Sequence, residues 1–168
     1  ALDRLGAGDA LRANAARPTH RISRTWDSGQ ETSRLPMSAA AEERYGAPQL
    51  TLHRADLLAA LEALLPEGTI RFGTKIAGIG QDEGATWIAL EGGTTERFDM
   101  VLGADGIHSV VRAALWGPDA PRFTGLVSWR GTFPRERAGD LPDLDAFTKW
   151  WGPTVDRQIV TFPLTHGS

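Results

Sequence analysis

The sequence predicts an α/β fold: an incomplete Rossmann-type domain that contains a β-meander, followed by the start of a second, β-rich domain. Three observations support this prediction. A strand, a tight acidic turn and a helix follow one another between residues 99 and 117. A short strand enters an apolar helix near residue 53, and short alternating segments separated by glycine turns lie between these two strings.

The first part of the chain predicts a helix, a hairpin and a second helix. Residues 1–15 have a helical pattern, which the glycines at positions 6 and 8 interrupt. Two alternating runs, 19–26 and 31–35, flank an Asp-Ser-Gly-Gln turn that is typical of a hairpin, and residues 36–48 indicate a loop. A short strand over residues 49–53 then enters a helix over residues 55–65, whose leucines form one stripe.

The remaining elements are predicted to be mostly strands. Short strands are expected over residues 69–72, 75–79, 85–90 and 94–98, and the last three form the meander. Residues 123–133 read as β-rich, residues 143–150 as a short helix and residues 159–162 as a strand. A change in composition at residues 118–121 predicts the domain boundary, so the two domains are expected to cover residues 1–121 and 122–168.

The most informative string runs from Gly103 to Arg112. Residues 100–102 before it are apolar at consecutive positions, as expected of a strand that is buried on both faces. Gly103 and Gly106 flank Asp105, so the backbone can turn sharply there and a ligand can approach. A carboxylate at the carboxyl end of such a strand can accept hydrogen bonds from ribose hydroxyls. The simpler alternative is a β-turn in which Asp105 bonds its own backbone.

A helix is expected directly after this turn. Ser109 can cap a helix over residues 110–116, and Gly117 and Pro118 end it.

A second string places Arg54 at the junction between the short strand and the following helix. A cation beside the free amides of a helix N-terminus suits a phosphate or an electron-rich ring edge. The alternative is an ordinary surface arginine, whose charge is slightly unfavourable against the helix dipole.

Composition excludes several classes of function. The 168 residues carry a net charge of −3 with both signs interspersed, so neither nucleic acid nor an anionic membrane is indicated as a partner. The absence of cysteine excludes disulfides and thiolate nucleophiles and is compatible with a cytoplasmic location. The four histidines lack metal-ligand spacing, so no metal is expected. No apolar run reaches the length of a transmembrane helix.

The string from Gly103 to Arg112 resembles the Asp-Gly motif of single-component FAD-dependent aromatic hydroxylases, written Gly-Ala-Asp-Gly-x-His-Ser-x-Val-Arg. The string around His53 and Arg54 resembles the His-Arg-x-x-Leu segment of the same family. Residues 1–6, 44–48 and 125–130 look like members of the salicylate hydroxylase type, so the resemblance covers essentially the whole chain.

The resemblance implies a partial FAD-binding domain of the glutathione-reductase type over residues 1–121. Residues 122–168 would begin the substrate domain, and residues 19–48 would contribute to its sheet. Within that scheme, Asp105 would bind the FAD ribose, beside Gly103 and Gly106, and Arg54 would lie against the flavin.

Two further cofactor contacts are implied with alternatives open. Ile76 would make a backbone contact with the adenosine part of FAD, or it is only a core residue of its strand. Arg112 would pair with Asp105 or meet a pyrophosphate, or it is a solvated helix cation. No catalytic residue is predicted, and His53 and His108 are candidates by chemical type alone.

The resemblance also implies an activity. Such enzymes use NADH or NADPH to reduce FAD and then use O2 to hydroxylate an activated aromatic ring. A small aromatic acid similar to salicylate or hydroxybenzoate is the expected substrate, while the sequence leaves the oligomeric state open. The alternatives are a non-catalytic module that keeps the fold, or a related flavin-dependent epoxidase or reductase.

Two elements of that family are missing from the printed sequence. One is the Gly-x-Gly-x-x-Gly loop that cradles the pyrophosphate, and the other is a later Gly-Asp segment followed by Ala-Ala-His. Gly6 and Gly8 do not supply the loop, because Leu11 occupies the third glycine position and no strand precedes them. We therefore expect an internal fragment of such an enzyme. By itself this fragment would bind FAD weakly or not at all and would be inactive.

Overall fold

The computed structural model describes residues 2–165 and divides the chain into two compact units. The first unit contains the chain up to Pro66 and again from Ser128, and the second contains residues Glu67–Val127. Residue 1 and residues 166–168, which the predicted domains include, lie outside the described part.

Four short α-helices and seven strands follow one another along the chain. The helices are α1 (Gly8–Asn14), α2 (Ser38–Tyr45), α3 (Arg54–Glu62) and α4 (Val110–Trp116), and single 3-10 turns occur at Leu2–Leu5, Gly106–His108 and Arg135–Ala138. The strands are β1 (His20–Thr25), β2 (Glu31–Pro36), β3 (Ile76–Asp82), β4 (Ala85–Leu90), β5 (Thr95–Phe98), β6 (Phe147–Trp151) and β7 (Gln158–Thr161). Within residues 2–165, none of the helices has the length and apolar character needed to cross a bilayer.

The first unit is built on a four-stranded sheet of order β2-β1-β6-β7. Two antiparallel hairpins, β1–β2 and β6–β7, are joined by the parallel pairing of β1 with β6. In that pairing Arg21 lies opposite Phe147, and Thr25 lies opposite Trp151. Residues that lie opposite each other point to the same face of a sheet, so the register assigns every strand residue to one of two faces.

The core of the first unit lies around β1 and the first helix. Ile22 of β1 and the preceding Pro18 are fully buried, and Leu11 of α1 is 3% exposed. Helix α1 contacts α3, and the single bridge between Ala16 and Thr51 ties the segments that leave and enter these helices. Burial of these small and branched residues supplies the apolar contact that short helices need in order to be stable.

The second unit is an antiparallel meander of order β3-β4-β5, with helix α4 packed against β3. Ile88, on the central strand β4, is 7% exposed. Arg97 forms a two-bond ion pair with Asp82, at 2.8 and 2.7 Å, across the ends of the meander. Exposed pairs of this kind contribute little each, so apolar contact with β4 and α4 carries most of the stability of this unit.

The structure confirms the α/β class and most elements that have a strong local pattern. The hairpin, the helix after residue 53, the three strands of the meander, the helix over residues 110–116 and the last strand are all present. Ser109 caps α4 as expected, because its hydroxyl accepts a hydrogen bond from the Arg112 amide at 2.9 Å.

Other element predictions are wrong. Residues 36–48 contain helix α2, and the segment predicted as a helix over residues 143–150 contains strand β6. Residues 69–72 and 123–133 form no strand, and the short strand at residues 49–53 is reduced to one bridge at Thr51. Strand β6 is stabilised by β1 from the far end of the chain, and local sequence carries no signal of that pairing.

The predicted buried strand over residues 100–102 is also wrong. This segment has no strand assignment, and Met100 and Leu102 are 72% and 83% exposed. A parallel strand is stable only when neighbouring strands satisfy its backbone and cover both faces. In the described residues of the second unit, β3, β4 and β5 pair only among themselves, so the apolar run has no ladder to join.

One face of the four-stranded sheet carries a balanced network of two arginines and two carboxylates. Asp143 accepts hydrogen bonds from Arg24 at 2.7 Å and from Arg34 at 3.0 and 3.1 Å. Glu31 accepts two bonds from Arg34, at 3.0 and 2.7 Å. The Arg34 hydrogen bond is the main reason why the pKa values of both carboxyls lie below their ordinary range. The network therefore ties the loop before β6 to the β1–β2 hairpin.

We expect Asp143→Asn to lower the urea midpoint of unfolding near neutral pH, and the difference from wild type to shrink as the pH falls below about 3.9, the ordinary pKa of an unfolded aspartate. A carboxyl with a depressed folded-state pKa stabilises the protein above its unfolded pKa, and this stabilisation is lost as the pH falls through the folded value. Asn tolerates the left-handed backbone of residue 143, whose φ is 60°, so the change removes charge without new strain.

The matched control is Asp145→Asn, at an exposed position nearby that forms no ion pair within residues 2–165. A loss of stability in Asp143→Asn that is the same at neutral and acidic pH would contradict an electrostatic role for the network.

The close approach of helix α4 to the preceding loop requires a glycine. A Cβ atom on Gly103 would lie 2.7 Å from Cβ of Val111, a distance that real Cβ atoms do not show. Gly103 therefore allows the loop to pass directly over the first turn of α4.

Gly103→Ala is expected to destabilise the protein by about 1–3 kcal/mol, because the added methyl group overpacks the contact with Val111. The measurement is urea unfolding followed by tryptophan fluorescence. Gly78→Ala is the control in the same unit, since its Cβ would lie an ordinary 3.9 Å from that of Ala89. Equal midpoints for the two variants would show that the contact is not tight.

Candidate functional site

The turn before α4 is organised by the carboxylate of Asp105. Its Oδ1 accepts a hydrogen bond from the Ser109 hydroxyl at 2.5 Å, and its Oδ2 accepts from the amides of Val110 at 2.6 Å and Val111 at 3.3 Å. The Ser109 hydrogen bond is the main cause that lowers the pKa of Asp105, and the two amides act in the same direction. Asp105 is therefore an ionised acceptor that satisfies donors at the start of α4.

Asp105 keeps room for another donor. A carboxylate offers about four lone-pair sites, and three donors occupy sites here, two of them on Oδ2. The residue is exposed to solvent. A hydroxyl group from a ligand could therefore donate to Oδ1 without displacing the bonds to Val110 and Val111.

Gly106 leaves space beside this carboxylate. Its φ of 78° is a backbone conformation that favours glycine, and no heavy atom lies within 4 Å of the place where its Cβ would be. Glycine is required at these two positions for different reasons. Gly103 allows close packing against α4, and Gly106 allows the positive φ of the turn.

Arg112 holds the same turn from the other side. Its guanidinium donates to the carbonyl of Ile107 at 2.6 Å, and its Nε lies 3.1 Å from a carboxylate oxygen of Asp119. The predicted ion pair between Arg112 and Asp105 is absent from the described residues, and the ionic partner of Arg112 is Asp119, which was not predicted from the sequence. The cation is half-buried and stabilises the loop over residues 106–107.

Ile76 begins strand β3 and lies opposite Leu90 on β4. It is half-buried, as a strand residue at the edge of a small core would be. Because α4 packs against β3, one compact unit holds Ile76 together with Gly103, Asp105, Gly106 and Arg112.

Arg54 belongs to the first unit, as the first residue of α3. Nδ1 of His53 accepts a hydrogen bond from the Ala55 amide at 3.3 Å, so His53 caps the helix. Arg54 is exposed and forms no ion pair within the described residues. Its guanidinium is free to meet a ligand.

Sequence reasoning missed an aromatic face on the sheet of the first unit. We use the name aromatic face for the side of this sheet that carries the apolar residues Leu35, Phe147, Trp151, Val160 and Phe162. The register places the polar residues Arg21, Ser23, Thr25, Ser33, Lys149 and Gln158 on the same side. Phe147 and Phe162 stack with ring centroids 5.2 Å apart and planes 12° apart. The ammonium of Lys149 lies 3.5 Å from the centroid of the Trp151 ring. The sequence does contain a signal for this face, because large side chains occur at every second position over residues 147, 149 and 151, as in a strand. The prediction of a helix over residues 143–150 did not use this signal.

The described residues contain no cluster of three or more histidine, aspartate or glutamate side chains that could hold a metal ion. The side chains of Asp105 and Arg112 both form hydrogen bonds with the backbone: Asp105 accepts from the amide of Val110, and Arg112 donates to the carbonyl of Ile107. The arrangement is suited to binding polar groups of a ligand, such as hydroxyls, and offers no group placed as a nucleophile.

Comparison with known proteins gives a consistent picture, although no protein-family model matches the chain. It is 35% identical over 163 residues to 6-hydroxynicotinate 3-monooxygenase of Bordetella bronchiseptica, with 96% of this chain and 42% of the relative covered. It is 35% identical to 3-amino-4-hydroxybenzoate 2-monooxygenase of Streptomyces cremeus, with 97% and 41% covered. Salicylate hydroxylase of Pseudomonas putida is 32% identical, with 97% and 40% covered.

Solved structures show the same fold. A variant of HpxO from Klebsiella pneumoniae, solved in complex with FAD, matches with a TM-score of 0.77 and 20% identity over 99% of this chain and 42% of that chain. The 2,6-dihydroxypyridine-3-hydroxylase from Arthrobacter nicotinovorans matches with a TM-score of 0.71 and 21% identity over 94% and 38%.

The chain spans about two fifths of the length of the curated relatives it matches. The resemblance that the Asp105 string carries is thereby confirmed over nearly the whole chain. This polypeptide is homologous to a part of monooxygenases and hydroxylases that are named for small aromatic substrates, and it shares the fold of an HpxO variant that was solved with FAD.

Proposed function

We propose that the complete protein is an FAD-dependent monooxygenase that uses NADH or NADPH and O2 to hydroxylate a small aromatic acid. The observation that carries the proposal is the 35% identity to 6-hydroxynicotinate 3-monooxygenase over 96% of this chain. Relatives named for aminohydroxybenzoate and salicylate support a ring that bears a carboxylate. We also propose a cytoplasmic location, in keeping with the lack of cysteine.

The residues of the second unit fit a nucleotide sugar. The exposed carboxylate of Asp105 has acceptor capacity left on Oδ1, and open space lies beside Gly106. In the proposed complex Asp105 accepts a hydrogen bond from the ribose of FAD, while Gly103 and Arg112 keep the loop in position. Ile76 contributes a backbone contact to the adenosine part.

Arg54 is proposed to lie along the flavin, since its cation is exposed and unpaired in the described chain. The redox chemistry with NAD(P)H and O2 belongs to FAD when it is bound. These residues bind and orient the cofactor, and none of them is proposed as an acid or base.

The domain scheme is part of the same proposal. Residues 1–121 would contribute to a Rossmann-type FAD-binding domain of the glutathione-reductase type, and residues 122–168 would begin the substrate domain. Strands β1 and β2 pair into the same sheet as β6, which supports a contribution of residues 19–48 to the substrate side. A polypeptide of these 168 residues alone would bind FAD weakly or not at all and would be inactive, because a Gly-x-Gly-x-x-Gly loop is missing from them.

The test of the function uses the complete protein encoded by the source reading frame. We expect it to purify with flavin and to oxidise NADH or NADPH faster when 6-hydroxynicotinate, 3-hydroxybenzoate or salicylate is present. Mass spectrometry should detect a product that has gained one oxygen atom. A flavin-bound protein whose NAD(P)H oxidation is unaffected by all three acids, and which forms no hydroxylated product, would instead favour a reductase or a non-catalytic module.

The role of Asp105 is tested separately from its role in capping α4. In the complete protein, Asp105→Ala is expected to raise the dissociation constant for FAD about 10- to 100-fold, as the loss of a charge-assisted hydrogen bond would. The measurement is FAD titration of the folded apoprotein.

Ser109→Ala is the matched control for Asp105→Ala. It removes the hydroxyl that caps α4 and bonds Asp105, but it leaves the carboxylate in place. We expect its FAD dissociation constant to change less than about threefold. If both variants weaken FAD binding equally, Asp105 serves only the local structure of the turn.

A further inference from the structure

In the part of the chain that the structure describes, the charged side chains form ion pairs on one face of the four-stranded sheet and lack them on the other. On one face, Arg24 and Arg34 are neutralised by Glu31 and Asp143. On the aromatic face, Lys149 forms no ion pair within residues 2–165, and its ammonium contacts the ring of Trp151 instead. The aromatic face thus carries two cations without a carboxylate partner in the described residues, the exposed Arg21 and the half-buried Lys149, and of these only Lys149 contacts an aromatic ring.

Lys149 lies at the centre of this face and its position is restrained. It is on β6, an interior strand, opposite Ser23 on β1 and Val160 on β7. Its ammonium lies 3.5 Å from the centroid of the Trp151 ring, a cation–π contact that holds the head group without neutralising its charge. Lys149 is half-buried, so its charge is less screened than that of a fully exposed lysine.

The neighbouring rings provide an apolar surface next to this cation. Phe147 is two residues before Lys149 on the same strand and stacks on Phe162. Phe162 and Trp151 are 42% and 39% exposed, so part of their surface is open. Two residues along a strand are about 7 Å apart, which matches one aromatic ring that carries a carboxylate.

We propose that Lys149 recognises the carboxylate of the aromatic substrate and so determines specificity for acids over neutral rings. This inference rests on the proposed function and adds to it the residue that selects the charge of the substrate. The ring of the acid packs against the phenylalanines of the aromatic face, and its carboxylate accepts a charge-assisted hydrogen bond from Nζ of Lys149. Arg21, opposite Phe147 on β1, is a second cation on this face, but it is exposed and makes no ring contact in the described residues.

The test compares acid and amide binding in the complete, flavin-bound protein. The probes are salicylate, 3-hydroxybenzoate and 6-hydroxynicotinate with their primary amides, and the readout is the change in flavin absorbance on binding. Lys149→Met is expected to weaken binding of the acid roughly 10- to 100-fold and to change binding of the amide less than about threefold. Lys149→Arg, which keeps the charge, should stay within about fivefold of wild type for the acid.

The matched control is Arg21→Met, which removes one positive charge from the same face. We expect it to change binding of the acid less than about threefold. Should Lys149→Met not accumulate as folded protein, Lys149→Gln serves for the same comparison. An equal loss for acid and amide, an equal loss in Arg21→Met, or unchanged binding in Lys149→Met would each overturn the assignment.

The outcomes separate this inference from the proposed function. If the wild-type protein hydroxylates an acid and Lys149→Met keeps its preference for acid over amide, the function stands and the role of Lys149 fails. If the wild-type protein binds none of the three acids, both fail.

Discussion

The first unit depends on the parallel pairing of β1 with β6. These strands lie more than one hundred residues apart in the chain, and the second unit is inserted between them. Their register, with Arg21 opposite Phe147, brings the early hairpin and the late hairpin into one sheet. Long-range pairing of this kind costs loop-closure entropy, which the buried side chain of Ile22 and the ion-pair network around Asp143 help to offset.

The string from Gly103 to Arg112 shows how a motif can be locally necessary and still available to a ligand. Gly103 is required by the contact with Val111, Gly106 by its positive φ, and Ser109 by the cap of α4. Local structure alone therefore accounts for these residues. It does not account for the exposure of Asp105, whose carboxylate completes the cap of α4 and still has an unoccupied acceptor site. A pre-organised acceptor of this kind pays little entropy when a hydroxyl binds.

Sequence predicted those parts of the fold that depend on neighbours in the chain. The β1–β2 hairpin, helix α3 and the meander have turn residues and periodicity within their own segments, and all were found. Strand β6 was mistaken for a helix because its position between β1 and β7 depends on a pairing with β1 that is distant in the chain and leaves no local signal. The strand predicted over residues 100–102 is wrong for a different reason. Their apolar run suits a parallel sheet, but no strand in the described residues of the second unit pairs with them. For the candidate site, the string identified the turn at Asp105. The ion pair of Arg112 with Asp119 depends on the fold of the loop after α4, which no motif in the sequence indicates.

The contrast between the two sheet faces is an argument about where the protein uses its charges. Arginines and carboxylates are equal in number in the network around Asp143, and their mutual hydrogen bonds use their charge within the fold. Had Lys149 a structural task alone, a carboxylate on a neighbouring strand would be the simplest way to satisfy it. Its neighbours across the ladder are Ser23 and Val160 instead, and its contact is the uncharged ring of Trp151. A cation that is held in place and left unneutralised among aromatic rings is an environment in which an aromatic anion gains from both its ring and its charge.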